Sequence, residues 1–184
     1  MSKELQNLED LYLHELKDIY SAEKQITKAL PKLAKAASSP ELKSAFEEHL
    51  QQTEGQIQRL DKIFKRIGES ASGVKCKSMA GLIEEGDELA KEEAAAEVLD
   101  AGLITAGQKV EHYEMAAYGS LCEFAELLGY QEDAELLHET LTEEEQTDEK
   151  LSSLAEEINK QAQEPEGESE EDMETSGSKR SSRK

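Results

Sequence analysis

Tryptophan is absent from this chain of 184 residues, aromatic residues make up only 4% of it, and proline occurs three times. A core without large rings must be filled by Leu, Ile and Ala, and that suits helices better than sheets. There are only two cysteines, Cys76 in an expected loop and Cys122 on an expected helix. No C-x-x-C occurs, so neither a redox pair nor a thiolate zinc site is indicated; Cys122 reads as a small core residue. No apolar run approaches the roughly 20 residues that a membrane span needs, and Met1-Ser2-Lys3-Glu4 lacks the apolar core of a signal peptide. The expectation is a cytoplasmic protein without a membrane partner. Basic residues are in deficit, 21 against 42 acidic ones, for a net charge of −21. Such a field repels nucleic acid and anionic lipid and attracts cations, although acidic solubility alone also accounts for it. No nucleophile–base pair and no glycine-rich phosphate loop appears, which removes hydrolase, transferase and nucleotide chemistry from consideration.

What is there is helical periodicity. Leu5, Leu8, Tyr12, Glu15, Ile19, Glu23, Ile26, Leu30 and Leu33 recur at steps of three and four. Pro31 falls inside this pattern and is expected to kink the last turns or end them early. Ser38-Ser39-Pro40-Glu41 reads as a helix start, with serine as cap, proline in the first turn and an acid behind it. A second helix follows from about Pro40 to Arg66, with Leu42, Phe46, Leu50, Ile57, Leu60 and Phe64 on its seam and Gly68 as its stop. Gly68, Ser70, Ser72 and Gly73 mark a loop, and Met79 to Lys91 fits a short helix. A third long helix is expected from about Glu93 to Leu128, carrying Val98, Ile104, Met115, Tyr118, Cys122 and Ala125, with Gly129 at its end. A fourth runs from about Gln131 to Gln161.

Two helical hairpins therefore flank one long connection. The fold class expected is all-α, a ferritin-like antiparallel four-helix bundle with one long crossover between helices 2 and 3, over residues 1–161. Residues 162–184 are rich in Glu, Ser, Gly and Lys, too poor in apolar side chains to offset ordering entropy, and are expected to be a disordered tail. Its basic end, Lys179 to Lys184, suits either a weak contact with nucleic acid or with the protein's own acidic face, or no contact at all.

Charged residues fall on stripes that should be apolar. Glu111 and Glu114 stand one turn apart on helix 3, on the face of Ile104, Gln108, Tyr118 and Leu121. Glu144 and Asp148 share a face of helix 4 with Leu137, Leu141 and Leu151. Glu15 and Glu23 bracket Ile19 on helix 1, with Asp18 near the edge, and His49, Thr53 and Gln56 follow helical spacing on helix 2. Buried carboxylates are costly unless they share protons, pair with bases or hold a cation. An oxygen-rich set with one or two imidazoles suits iron or manganese. With 42 acids in the chain, some fall near any stripe by chance; Glu15 and Asp18 read as flank positions, whereas Glu111, Glu114, Glu144 and Asp148 cluster midway along two successive helices. His49 reads equally as ligand or as hydrogen-bonded core histidine, His14 and His138 as surface groups, and His112 as an outer group at best. A faint repeat relates Leu50–Leu60 to Leu141–Leu151, matching Thr53 to Glu144 and Gln56 to Thr147.

The segments Asp18-Ile19-Tyr20-Ser21-Ala22-Glu23-Lys24-Gln25, Ala36-Ala37-Ser38-Ser39-Pro40-Glu41-Leu42, His49-Leu50-Gln51-Gln52-Thr53 and Val110-Glu111-His112-Tyr113-Glu114 resemble the YciE/YciF family of ferritin-like proteins. The resemblance spans about residues 4 to 161. It implies a ferritin-like bundle, a homodimer, a role in bacterial stress responses and, for some members, oxidation of Fe(II). Ordinary ferritin-like proteins carry Glu-x-x-His on two helices; the matching positions here are Thr53/Gln56 and Glu144/Thr147, so neither motif is intact. The expected metal set is Glu23, His49, Glu111, Glu114, Glu144 and Asp148, with Tyr20, Tyr113 or Tyr118 packing nearby or passing an electron. The rival expectation is a dimeric structural or interaction module with a degenerate metal site.

Overall fold

The computed structural model describes residues 5–72 and 74–163. Met1 to Glu4, Gly73 of the expected loop and the tail from residue 164 onward lie outside them. The described residues form five helices and no strand: α1 (Leu8–Ala36), α2 (Pro40–Ile67), α3 (Lys77–Leu89), α4 (Ala96–Leu127) and α5 (Gln131–Gln163). The all-helical expectation holds. No helix among the described residues is long and apolar enough to cross a membrane.

Local chemistry sets the helix ends. Asn7 caps α1, its side chain accepting from the Asp10 N–H at 2.8 Å. Leu5 therefore precedes the helix and is exposed, not the first residue of the seam. Pro31 does not end α1, which continues to Ala36. The missing N–H removes one backbone bond, but Leu30, Leu33 and Ala34 around it are buried and hold the last turns in place. Ser39 caps α2 by accepting from the Leu42 N–H at 3.2 Å, with Pro40 in the first turn. Gly68 closes α2 at φ 72°, a left-handed conformation that glycine adopts without strain. α5 extends to Gln163, slightly beyond the expected start of the tail.

The long helices run antiparallel to their neighbours. Along α2 and α5 the pairs Lys150–Glu48, Thr147–His49, Gln56–Glu144, Arg59–Glu143 and Arg66–Asp133 descend one helix as they climb the other. Gln108–Asp148 and His138–Glu126 do the same for α4 and α5. The turn between α1 and α2 is fastened to the start of α4, where Asp100 accepts from the Ser38 and Ser39 N–H groups at 2.8 and 2.7 Å. Asp100 takes a buried position on the α4 stripe. Val98, two residues earlier, is off that stripe and 47% exposed, contrary to its expected place in the seam. α3 packs on α1 and α4; Cys76 caps it, and the Cys76 N–H and C=O bond to Ser21 and Gln25 of α1.

One polar network closes the end of the molecule opposite that turn. Asp133 is 1% exposed and accepts from Arg66 Nε at 2.6 Å and from the Tyr12 hydroxyl at 3.0 Å. The Arg66 guanidinium also lies 4.8 Å from the centre of the Tyr130 ring. Arg66 is one-third exposed, but without it the buried Asp133 charge is left without its cation. Arg66→Met is expected to cost about 3 kcal/mol in urea unfolding; a loss no larger than that of an exposed arginine would show Asp133 to be satisfied by Tyr12 and water alone.

Candidate metal centre

The inward stripes of α2, α4 and α5 carry polar side chains at one level. α4 and α5 meet closely there because Gly107 has no side chain: a Cβ on it would lie 3.1 Å from Leu151 Cδ1. One turn further along α4, Glu111 and then Glu114 enter the interior. His49 comes from α2 and Glu144 from α5. His49, Glu111, Glu114 and Glu144 are all buried, and each offers one ligand atom within 4.8 Å of the others. His49 Nε2 is 3.3 Å from Glu111 Oε1 and 3.9 Å from Glu144 Oε2, without the alignment of a hydrogen bond.

The surroundings orient these groups. The Thr147 hydroxyl donates to the Glu143 carbonyl at 3.0 Å and stands 3.5 Å from His49 Nδ1, so it is placed to accept from Nδ1–H, the tautomer that turns the Nε2 lone pair toward the carboxyl groups. Gln56 donates to Glu144 Oε1 and, at 3.1 Å, to Glu143. Arg59 holds Glu143 from the other side at 2.5 and 2.8 Å. Glu23 of α1, fully buried, accepts from the Tyr118 hydroxyl.

The remaining atoms have no partner. Among the described residues, the buried side-chain atoms lacking a hydrogen bond are Glu23 Oε2, His49 Nε2, Gln56 Oε1, Glu111 Oε2, both oxygens of Glu114 and Glu144 Oε2. Almost all are metal-type donors converging on one region, whereas buried polar groups are ordinarily bonded. Burial pushes each carboxyl up from its ordinary value. For Glu23 and Glu111 the Glu144 charge adds to it, and for Glu114 the Glu23 charge does. Burial raises Glu144 to about 7 and lowers His49 to about 4. A neutral imidazole and carboxyl groups that ionise once a cation arrives form a fitting oxygen-rich shell with one nitrogen. Ligands around one ion at about 2.0–2.2 Å span about 4.4 Å at most, so the cluster needs only a slight contraction.

Of the six expected ligands, four lie in this group. Glu23 lies beside it, its charge acting on Glu114 and Glu111. Asp148 sits at the α4–α5 groove, 21% exposed, 3.3 Å from His112 Nε2 and from the Gln108 amide. Glu15 is half-buried and stands apart, and Asp18 accepts from the Tyr113 hydroxyl at 2.6 Å. Thr53 bonds the His49 carbonyl at 2.8 Å. The sequence reading placed Gln56 on the stripe but gave no sign that it would hold Glu144, nor that Tyr118 would hold Glu23; each pair joins residues far apart in sequence.

Residues 7–164 match the family model described as a domain of unknown function, DUF892. The Escherichia coli (strain K12) protein YciF is 49% identical over 161 residues, 86% of this chain and 97% of YciF. The solved structure of the E. coli stress protein YciF is similar with a TM-score of 0.82 at 48% identity, covering 85% of this chain and 99% of that one. YcfI of Rhodopseudomonas palustris, for which a structural role has been suggested, gives 0.79 at 47% identity over 83% and 97%. A Xanthomonas campestris protein at 22% identity shares the fold, with a TM-score of 0.66 over 83% and 93%.

Proposed function

The chain belongs to the DUF892 family, and on that footing we propose that it is a ferritin-like four-helix bundle, with α3 in the crossover, that binds iron or manganese through His49, Glu111, Glu114 and Glu144 and oxidises Fe(II). The observation that carries this reading is the set of buried, unpartnered donor atoms on these four residues and Glu23. Protons shared between Glu111 and Glu144 and between Glu23 and Glu114 relieve part of this crowding, whereas a bound cation satisfies all of the groups together.

The residues divide the work. His49 offers a lone pair at Nε2 because its other nitrogen faces Thr147. Gln56 fixes one oxygen of Glu144 and leaves the other for the ion. Glu23, Glu111 and Glu114 release protons as the ion enters and take them back as it leaves, so charge inside the bundle stays low. The apolar walls exclude water. A redox-active ion held there supplies one-electron exchange with oxygen or peroxide, and Tyr118, bonded to Glu23, is the aromatic side chain best placed to hand on a proton. The resemblance set out above extends the proposal to a homodimer, and YciF, described as a stress protein, extends it to a stress role. The structural role suggested for YcfI is the second reading; in it, protons shared between Glu111 and Glu144 and between Glu23 and Glu114 take the place of the ion.

The test is an anaerobic titration of metal-free protein with Fe(II), followed by oxygen, beside Glu144→Ala. Stoichiometric binding and oxidation faster than in the variant are expected. Binding without faster oxidation removes the oxidase activity and keeps the site; no binding removes both.

A further inference from the structure

Beside α3 lies a second feature, a narrow, partly open cavity of about 30 Å³ bounded by Ile26, Leu30, Phe46, Leu82, Val110 and Glu111. α3 lies close on α4 through small residues beside it: a Cβ on Gly86 would stand 3.6 Å from Ala106 Cβ, and both residues line the space. The wall is apolar except for Glu111 and Asp87, and the Asp87 carboxylate is held by Lys32 at 2.7 Å on the solvent side. A trapped water needs two to four polar partners, and an apolar cavity without them stays dry and takes up small apolar molecules instead. The volume suits a diatomic gas and no larger metabolite. Glu111 belongs to the metal centre and its Oε2, fully enclosed, has no hydrogen-bond partner. The cavity thus touches the centre at one carboxyl group.

We infer that α3 closes an apolar pocket that binds dioxygen beside Glu111. The use of that oxygen rests on the metal reading above; the existence of the pocket does not. Dioxygen is apolar enough to leave water for such a lining, and α3 gains a role that the long crossover alone does not explain.

Dissolved oxygen is paramagnetic and speeds the relaxation of protons it visits, so the metal-free full-length chain under oxygen pressure reports the pocket directly. Methyl protons of Ile26 and Leu30 are expected to relax several-fold faster than those of Leu60 and Leu137, which are also buried but lie away from the cavity. Ala106→Val, which adds two methyl groups to the wall, should bring them to the Leu60 level. Equal enhancement at all four residues in the natural protein overturns the inference, as does an enhancement that survives Ala106→Val in a folded variant. Because no metal is present, a positive oxygen result beside a failed Fe(II) titration keeps the pocket and removes the metal reading, and the reverse pair of results does the opposite.

Discussion

Manganese(II) at a hundredfold excess over its dissociation constant raises the unfolding midpoint by roughly 5–10 °C, and Glu144→Ala abolishes the rise. The first figure follows from linkage: a ligand at that excess that binds only the folded state adds about 2.7 kcal/mol, and each kcal/mol moves the midpoint of a domain of this size by about 2–4 °C. The second follows from geometry. Glu144 is the α5 member of the four-residue group, and its Oε2 is 3.9 Å from His49 Nε2. The variant also loses a buried carboxyl that burial holds at about 7, so its metal-free form should be no less stable than the natural protein by more than the cavity it leaves. Differential scanning with and without manganese separates the two effects. An equal rise in the natural protein and the variant would place the ion elsewhere on this acidic surface.

Metal-free protein loses stability as pH rises from 6.5 to 8, by roughly 2–4 kcal/mol, the loss for one to two protons kept among the four buried carboxyl groups. The sign follows from proton counts. Glu23, Glu111, Glu114 and Glu144 are raised in the folded state, by burial first and by one another second. Above their ordinary range the fold keeps protons that the unfolded chain has lost, so raising pH favours unfolding, at about 1.4 kcal/mol per pH unit for each such proton. His49 works the other way. Burial lowers it to about 4, so between there and its ordinary value near 6.5 the unfolded chain binds the extra proton and stability rises with pH. The two trends oppose each other below 6.5, and the carboxyl trend stands alone above it. Urea midpoints at pH 6.5, 7.2 and 8 in the presence of a chelator measure the slope; saturating manganese should remove it, because a bound cation keeps the same carboxyl groups ionised. A flat profile without metal would mean that these groups are charged and compensated in the fold.

How much of this was legible depends on the range of each interaction. The long helices could be read from residues three and four apart, and their ends from Ser39, Pro40 and Gly68, because caps and periodicity are local. Glu111, Glu114 and Glu144 stood out as charges on apolar stripes, and their burial is the structural form of that signal. Asp148 carried the same signal as Glu144, one turn away on the same helix, yet it lies in the half-exposed groove with His112 and Gln108. A stripe on α5 faces both α2 and α4, and the sequence does not say toward which neighbour a position leans. The bonds of Arg66 and Tyr12 to Asp133, of Tyr118 to Glu23 and of Gln56 to Glu144 escaped for a related reason. They depend on which helices are neighbours and at what register, and no local pattern encodes that. Of the two expectations at Pro31, the early end is not met, because buried neighbours outweigh one missing backbone bond.

The central claim is that one cation belongs between His49, Glu111, Glu114 and Glu144. Anomalous diffraction at the manganese absorption edge, from crystals grown with manganese(II), tests it most directly. The account predicts one strong peak within coordination distance of His49 Nε2 and of oxygens from all three glutamates. A map with peaks only on the acidic surface, and none among these four side chains, would contradict it.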